Sequence, residues 1–235
     1  MKKIRIASQP DDVTCGPTSL HAVYDYYDDS VSLTEVINSI TYLEEGGTLG
    51  VHLGIHALKR GYTANIYTYN LQLFDPTWFH NPSGQRLLEF LSLQKKVKPQ
   101  KKLVKATNAY IEFLKLGGTV NFKELSPQLL KGFFDKQVPV LTGLNATYLY
   151  NTSREFVEED GRISYDNLRG TSSGHFVVLG GYDEVRKRII VADPYSDNPL
   201  TRGKYYAVNV HRLLNSIMLG IITYDANLLI IHPGK

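Results

Sequence analysis

An α+β fold, with helices early in the chain and an antiparallel sheet later, is predicted by three observations. Residues 15–27 carry apolar side chains at helical spacing. Residues 175–182, 188–192, 204–210 and 228–232 are apolar or alternating runs of strand length, and turn signals separate them at Gly180-Gly181-Tyr182-Asp183, Asp193-Pro194 and Arg202-Gly203. With 235 residues, 43% hydrophobic and 21% charged, the chain has the material for one domain, residues 1–235, and is neither disordered nor fibrous.

Taken in order, residues 3–7 read as a short strand, followed by a loop with Pro10 and two aspartates. Leu20, Val23, Tyr24 and Tyr27 then fall at i, i+3, i+4 and i+7, the spacing of a helix with one buried face, and Pro17 suits its first turn. Cys15 opens that helix, where the dipole favours negative charge. Ser32-Leu33-Thr34-Glu35 is a capping box for a second helix, and Thr48 or Gly50 starts a third that ends near Arg60-Gly61. Residues 62–69 alternate as a strand. Residues 71–118 turn polar and helical, with Leu87, Leu88, Leu91 and Leu103 as apolar positions, and read as a helical insertion or lid. Ser126-Pro127 caps a helix over 128–136, which leads into a strand at 138–141.

A formal net charge of +3 is mild, and six lysines between Lys95 and Lys105 supply the excess. That run reads as a solvated helix edge rather than a nucleic-acid surface, while the insertion is a candidate surface for a protein partner. The basic start, Lys2, Lys3 and Arg5, has no apolar stretch behind it, and no run approaches the roughly 20 apolar residues of a membrane span. A cytoplasmic protein is expected. One cysteine excludes an internal disulfide and a thiolate-rich zinc site. His52 and His56 share a helix face, yet no third ligand accompanies them, so neither metal nor cofactor is expected.

Thiol catalysis needs a thiolate, an imidazole to carry its proton, an acceptor to orient that imidazole, and donors for the oxyanion. Cys15 stands at a helix start, and His175 heads an apolar strand. Asp193 closes the next strand, so the hairpin between them brings carboxylate to imidazole. Gln9, on the loop leading to Cys15, can donate its amide toward the point served by the Cys15 backbone N–H. Each residue has a bland reading: the cysteine as a small buried hydrophobe, the histidine as core, and Asp193-Pro194 as a strand-ending turn. The combination favours the catalytic one.

The segments Gln9 to Thr18 (QPDDVTCGPT), Gly174 to Tyr182 (GHFVVLGGY) and Val191-Ala192-Asp193-Pro194 resemble the nucleophile, histidine and aspartate motifs of C39-like peptidases, in that family's order. The resemblance covers about two thirds of the chain and leaves out residues 71–118 and parts of 145–173. It implies a papain-like cysteine peptidase fold and hydrolysis of a peptide or amide bond through a thioester. It also implies roles: Gln9 for the oxyanion, Cys15 for attack, His175 for proton transfer and Asp193 for orientation. Relatives that process leader peptides are usually fused to an ABC transporter, of which this chain has neither the P-loop nor the membrane segments. Two other readings stand beside hydrolysis. One is acyl transfer to an amine or thiol, as in phytochelatin-synthase-like enzymes, and the other is a peptide-binding module without turnover.

Overall fold

A computed structural model describes residues 2–44, 46–80 and 83–234. The first half supplies helices α1 (Cys15–Tyr26), α2 (Leu33–Ser39) and α3 (Gly50–Lys59), strand β1 (Tyr62–Thr68), a 3₁₀ turn (Pro76–Phe79), α4 (Gly84–Val97) and α5 (Lys101–Lys115). There follow β2 (Thr119–Asn121), α6 (Pro127–Phe134), β3 (Val140–Asn145), α7 (Ala146–Tyr150), and a small hairpin of β4 (Glu155–Val157) and β5 (Ile163–Tyr165). The chain closes with β6 (Gly174–Asp183), β7 (Arg188–Ala192), β8 (Tyr205–Asn209), α8 (Val210–Leu219), a second 3₁₀ turn (Gly220–Thr223) and β9 (Asn227–Pro233). The α+β class holds. The capping signals also act as read: Ser32 Oγ accepts from Glu35 N at 3.1 Å, and Ser126 Oγ accepts from Leu129 N at 3.2 Å.

Seven strands form one sheet in the order β2-β1-β9-β3-β6-β7-β8, antiparallel except for the β1–β2 pair. Both faces are covered. Phe176, Val178, Leu229 and Ile231 face a core shared with α1, α3 and α5, whereas Val177, Leu179, Leu228 and Ile230 face the core shared with α6 and α8. This is why the central strands read as unbroken apolar runs rather than alternating ones.

Three parts of the sequence reading are corrected. Residues 3–7 form no strand. Ile4 and Ile6 are buried, but Ile4 lies against Gly180 and Ile6 N donates to the Tyr205 hydroxyl, so the segment lies over the sheet and reaches no free edge with which to form a ladder. The second half is not all sheet, because β8 runs directly into α8. Asn209 Oδ1 accepts from His211 N at 2.9 Å there, and Val210, Leu213 and Ile217 bury one helical face. A strand of period two that turns into a helix without Gly or Pro hides that boundary. The strand expected at 138–141 begins at Val140 and runs on to Asn145.

One irregularity positions the candidate site. Between β6 and β7 the register runs Val178↔Ala192 and Leu179↔Val191, then Gly181↔Ile190, so Gly180 is one extra residue on β6. Carried past Ala192, this register sets Asp193 against Val177, two residues from His175 and on the same sheet face. Without the bulge Asp193 would stand against Val178, whose side chain points to the other face. A Cβ at position 180 would come within 2.8 Å of Ile4 Cδ1, which suits glycine to the bulge.

Candidate active site

Cys15 is buried at the first turn of α1, which is pinned to β6 by Ser19 Oγ donating to Phe176 O at 3.1 Å. Gly16 allows this closeness, since a Cβ there would meet Phe176 Cδ2 of β6 at 3.2 Å and Thr48 Cγ2 at 2.8 Å. Among the described residues the Cys15 N–H has no acceptor, as expected of an orphan donor in a first helical turn.

His175 follows the first residue of β6, and its Nε2 lies 2.8 Å from Asp193 Oδ1. The Cys15 side chain lies near the same imidazole, and the two residues border one cleft. Asp193 is wholly buried and fully engaged. Its Oδ1 also accepts from Tyr195 N at 2.9 Å, and its Oδ2 accepts from the hydroxyls of Tyr150 and Tyr206, each at 2.7 Å.

Burial by itself would push both members of the pair toward neutrality. It is outweighed. Burial lowers His175, but the charge and hydrogen bond of Asp193, with the Cys15 contact, raise it to about 10. Burial raises Asp193, but His175 and the two tyrosine hydroxyls bring it below the ordinary carboxylate range. The hydroxyls of Tyr150 and Tyr206 are themselves raised, by burial first and then by the Asp193 charge, so they remain donors.

Gln9 sits on a loop tied to the same corner, since its N–H donates to Pro194 O at 2.9 Å. Its Nε2 donates to Asp11 O at 2.8 Å, while Oε1 is buried without a partner. One of the two amide hydrogens therefore remains for another acceptor. The structure thus joins His175 and Asp193 by a direct contact, sets Cys15 on the same cleft as His175, and holds Gln9 beside them through its backbone.

Two clefts meet at His175. One, of about 520 Å³, contains Cys15, Gly46, Gly47, Lys102 and Asp225; the other, of about 530 Å³, contains Gln9, Tyr195 and the β4–β5 hairpin. Gly46 and Gly47 have φ of 89° and 70°, so the turn they form is itself a cleft wall. Asp225 was not foreseen. It is 6% exposed, accepts from Gly50 N at the start of α3 at 2.7 Å, and is pushed up to about 7 by burial against the weaker pull of Gly50, Asn227 and Lys102. Tyr150 and Tyr206 were also missed, because neither carries a local motif and only tertiary folding brings them to Asp193.

Of the histidine pair at 52 and 56, the second has both ring nitrogens engaged. His56 uses Nδ1 with the Tyr24 hydroxyl at 2.7 Å and Nε2 with Ser39 Oγ at 3.0 Å, and burial lowers both histidines. Among the described residues no three His, Cys, Asp or Glu side chains group for a metal, and no helix is long and apolar enough to cross a membrane.

The architecture defines a class, an α+β protein with the fold of a cysteine peptidase. More narrowly, the chain belongs to the Peptidase_C39 like family, whose sequence model matches residues 1–213. Among solved structures it is similar to a protein of Bacillus anthracis described as a C39-like peptidase, at 15% identity and a TM-score of 0.44, covering 98% of this chain and 94% of that one. It is also similar to xylellain, a cysteine protease from Xylella fastidiosa, at 13% identity and a TM-score of 0.43, covering 100% of this chain and 85% of that one. No curated protein matches the chain significantly in sequence.

Proposed function

We propose that the chain is a cysteine peptidase that cleaves a peptide or amide bond through a thioester on Cys15. The observation that carries this is the buried His175–Asp193 pair with the Cys15 thiol against the same imidazole. With Nε2 held by Asp193, Nδ1 is the nitrogen left to take the thiol proton. The thiolate attacks the carbonyl carbon, and the oxyanion draws on the Cys15 N–H and the remaining Gln9 amide hydrogen. His175 returns the proton to the departing amine, and water then hydrolyses the thioester with His175 again as base. Asp193 holds the ring throughout. A module without turnover has no use for this arrangement, which weighs against the binding-only reading. Residues 71–118 would act as a lid, since Lys102 of α5 lies on the cleft that holds Cys15.

The test is cleavage of a proteome-derived peptide library read by mass spectrometry, together with iodoacetamide labelling of Cys15. Cleavage should vanish in Cys15→Ala, and labelling at pH 6 should slow by about 100-fold or more in His175→Ala. Cleavage that persists in Cys15→Ala, or labelling indifferent to His175, would reject the mechanism. Adding a free amine acceptor and looking for transfer products separates hydrolysis from acyl transfer.

A further inference from the structure

The β4–β5 hairpin lies in a part of the chain outside the recognised motifs, yet it forms a wall of the cleft beside Gln9 and His175. Its hydrogen bonding is one-sided. Glu158 N donates to Arg162 O and Asp166 N to Arg154 O, each at 2.9 Å, which are hydrogen-bonded positions four residues apart on each strand. The register Glu155↔Tyr165, Phe156↔Ser164 and Val157↔Ile163 then makes Ser164 the inward-bonding residue of β5. The backbone groups of Ile163 and Tyr165 consequently point away from β4, and among the described residues they have no backbone partner. The opposite edge is filled, because Glu155 and Thr171 exchange bonds of 3.0 and 2.8 Å.

That open edge faces the cleft. Ile163, Ser164 and Tyr165 lie alternately on the two faces of the hairpin and all three line the cavity, which fits a cavity that reaches the outer edge of β5, with Glu155 and Glu158 on its lining as well. The hairpin is also fixed in place, with Tyr165 near Tyr195 just past Asp193 and Arg169 stacked 4.1 Å over Phe156.

We propose that the outer edge of β5 is a docking strand for the leaving-group half of an extended peptide substrate, paired through the backbone of Ile163 and Tyr165. This rests on the reading of Cys15 as nucleophile and His175 as proton carrier. The half follows from geometry. His175, which must hand its proton to the departing amine, borders both clefts, whereas Cys15, which keeps the acyl half, borders only the other one, so the cleft along β5 is left for the departing half. The occupant's charge follows as well, since Asp12, Glu155 and Glu158 outnumber Arg162 and the His175 imidazolium around this cleft and favour lysine or arginine in the departing half. An extended peptide added to a sheet edge gains main-chain hydrogen bonds regardless of its sequence.

The test uses a peptide cleaved by the native chain in the library, resynthesised with one to four residues beyond the scissile bond. Lengthening should raise kcat/KM by about tenfold, the worth of one or two backbone hydrogen bonds, and N-methylation of the paired amides should remove the gain. Ile163→Pro deletes an outward N–H at a position where an edge strand tolerates proline. It should abolish the length effect, so that in this variant the longest peptide is cleaved with about the same kcat/KM as the shortest. Length independence, or a gain that survives both N-methylation and Ile163→Pro, overturns the docking strand and leaves the catalytic reading intact. A native dimer that Ile163→Pro makes monomeric also overturns it, by giving the edge to a second copy. If no cleavage depends on Cys15, both readings fall together.

Discussion

Two buried aspartates flank the candidate site and behave oppositely. Asp193, 0% exposed, has four donors and is held below the ordinary carboxylate range; Asp225, 6% exposed, has Gly50 N at 2.7 Å and Asn227 Nδ2 at 3.2 Å and is pushed up to about 7. Burial is nearly equal, so it does not decide the charge. What decides it is the partner set. Asp193 has a cationic imidazole and two hydroxyls on its two oxygens, whereas Asp225 has one backbone N–H, one side-chain amide and a more remote lysine. The carboxylate proposed to orient the base is thereby fixed as an anion, while the one on the cleft wall changes its protonation near neutrality.

The sharpest way to break this comparison is to neutralise each carboxylate in turn. Asp193→Asn should lower kcat for peptide cleavage by about 10³- to 10⁴-fold, because the amide no longer holds the imidazole in its working tautomer. Asp225→Asn should change kcat by less than about tenfold, as it meets no reacting group. Equal losses in the two variants would show that both carboxylates serve the chemistry.

The partner set is tested next. Tyr150→Phe and Tyr206→Phe each remove one donor from a buried carboxylate and should each cost about 1–3 kcal/mol in urea unfolding, with a non-additive double variant because both hydroxyls share Asp193 Oδ2. Single losses below about 0.5 kcal/mol, within the range of a surface substitution, would mean that the hydroxyls do not hold the anion.

Smaller effects follow from pH. Asp193 is lowered, so its contribution is present above the unfolded carboxylate value of 3.8 and is lost as pH falls through its folded value. His175 is raised, so its contribution is full below 6.5 and is lost as pH climbs toward about 10. Asp225 is raised, so its contribution is full below 3.8 and is lost as pH rises through about 7. Asp225→Asn mimics the protonated acid and should therefore melt about 2–4 °C above the native chain at pH 8, with no difference at pH 4. A lower melting temperature at pH 8 would mean that the Asp225 anion stabilises the start of α3.

Much of this was legible from local patterns. Cys15 at a helix start, His175 at the head of an apolar run and Asp193 before Pro194 are each written within a few residues, and the turn between the last two implies a hairpin that joins them. Helix caps at Ser32 and Ser126 are local for the same reason, since a side-chain oxygen reaches a backbone N–H three residues on. The fold class followed because helix and strand periods depend only on neighbouring residues.

What only the tertiary structure decided lies in contacts between distant segments. Tyr150 and Tyr206 reach Asp193 from 43 and 13 residues away, and Gln9 is fastened to Pro194. The protonation of Asp225 depends on a helix start 175 residues earlier. The bulge at Gly180, which puts His175 and Asp193 on one face, shows in sequence only as a glycine pair that a plain turn would also explain. Local periodicity determines which elements form, but desolvation and hydrogen-bond partners are set by whatever packs around a side chain, and those neighbours are not its neighbours in the chain.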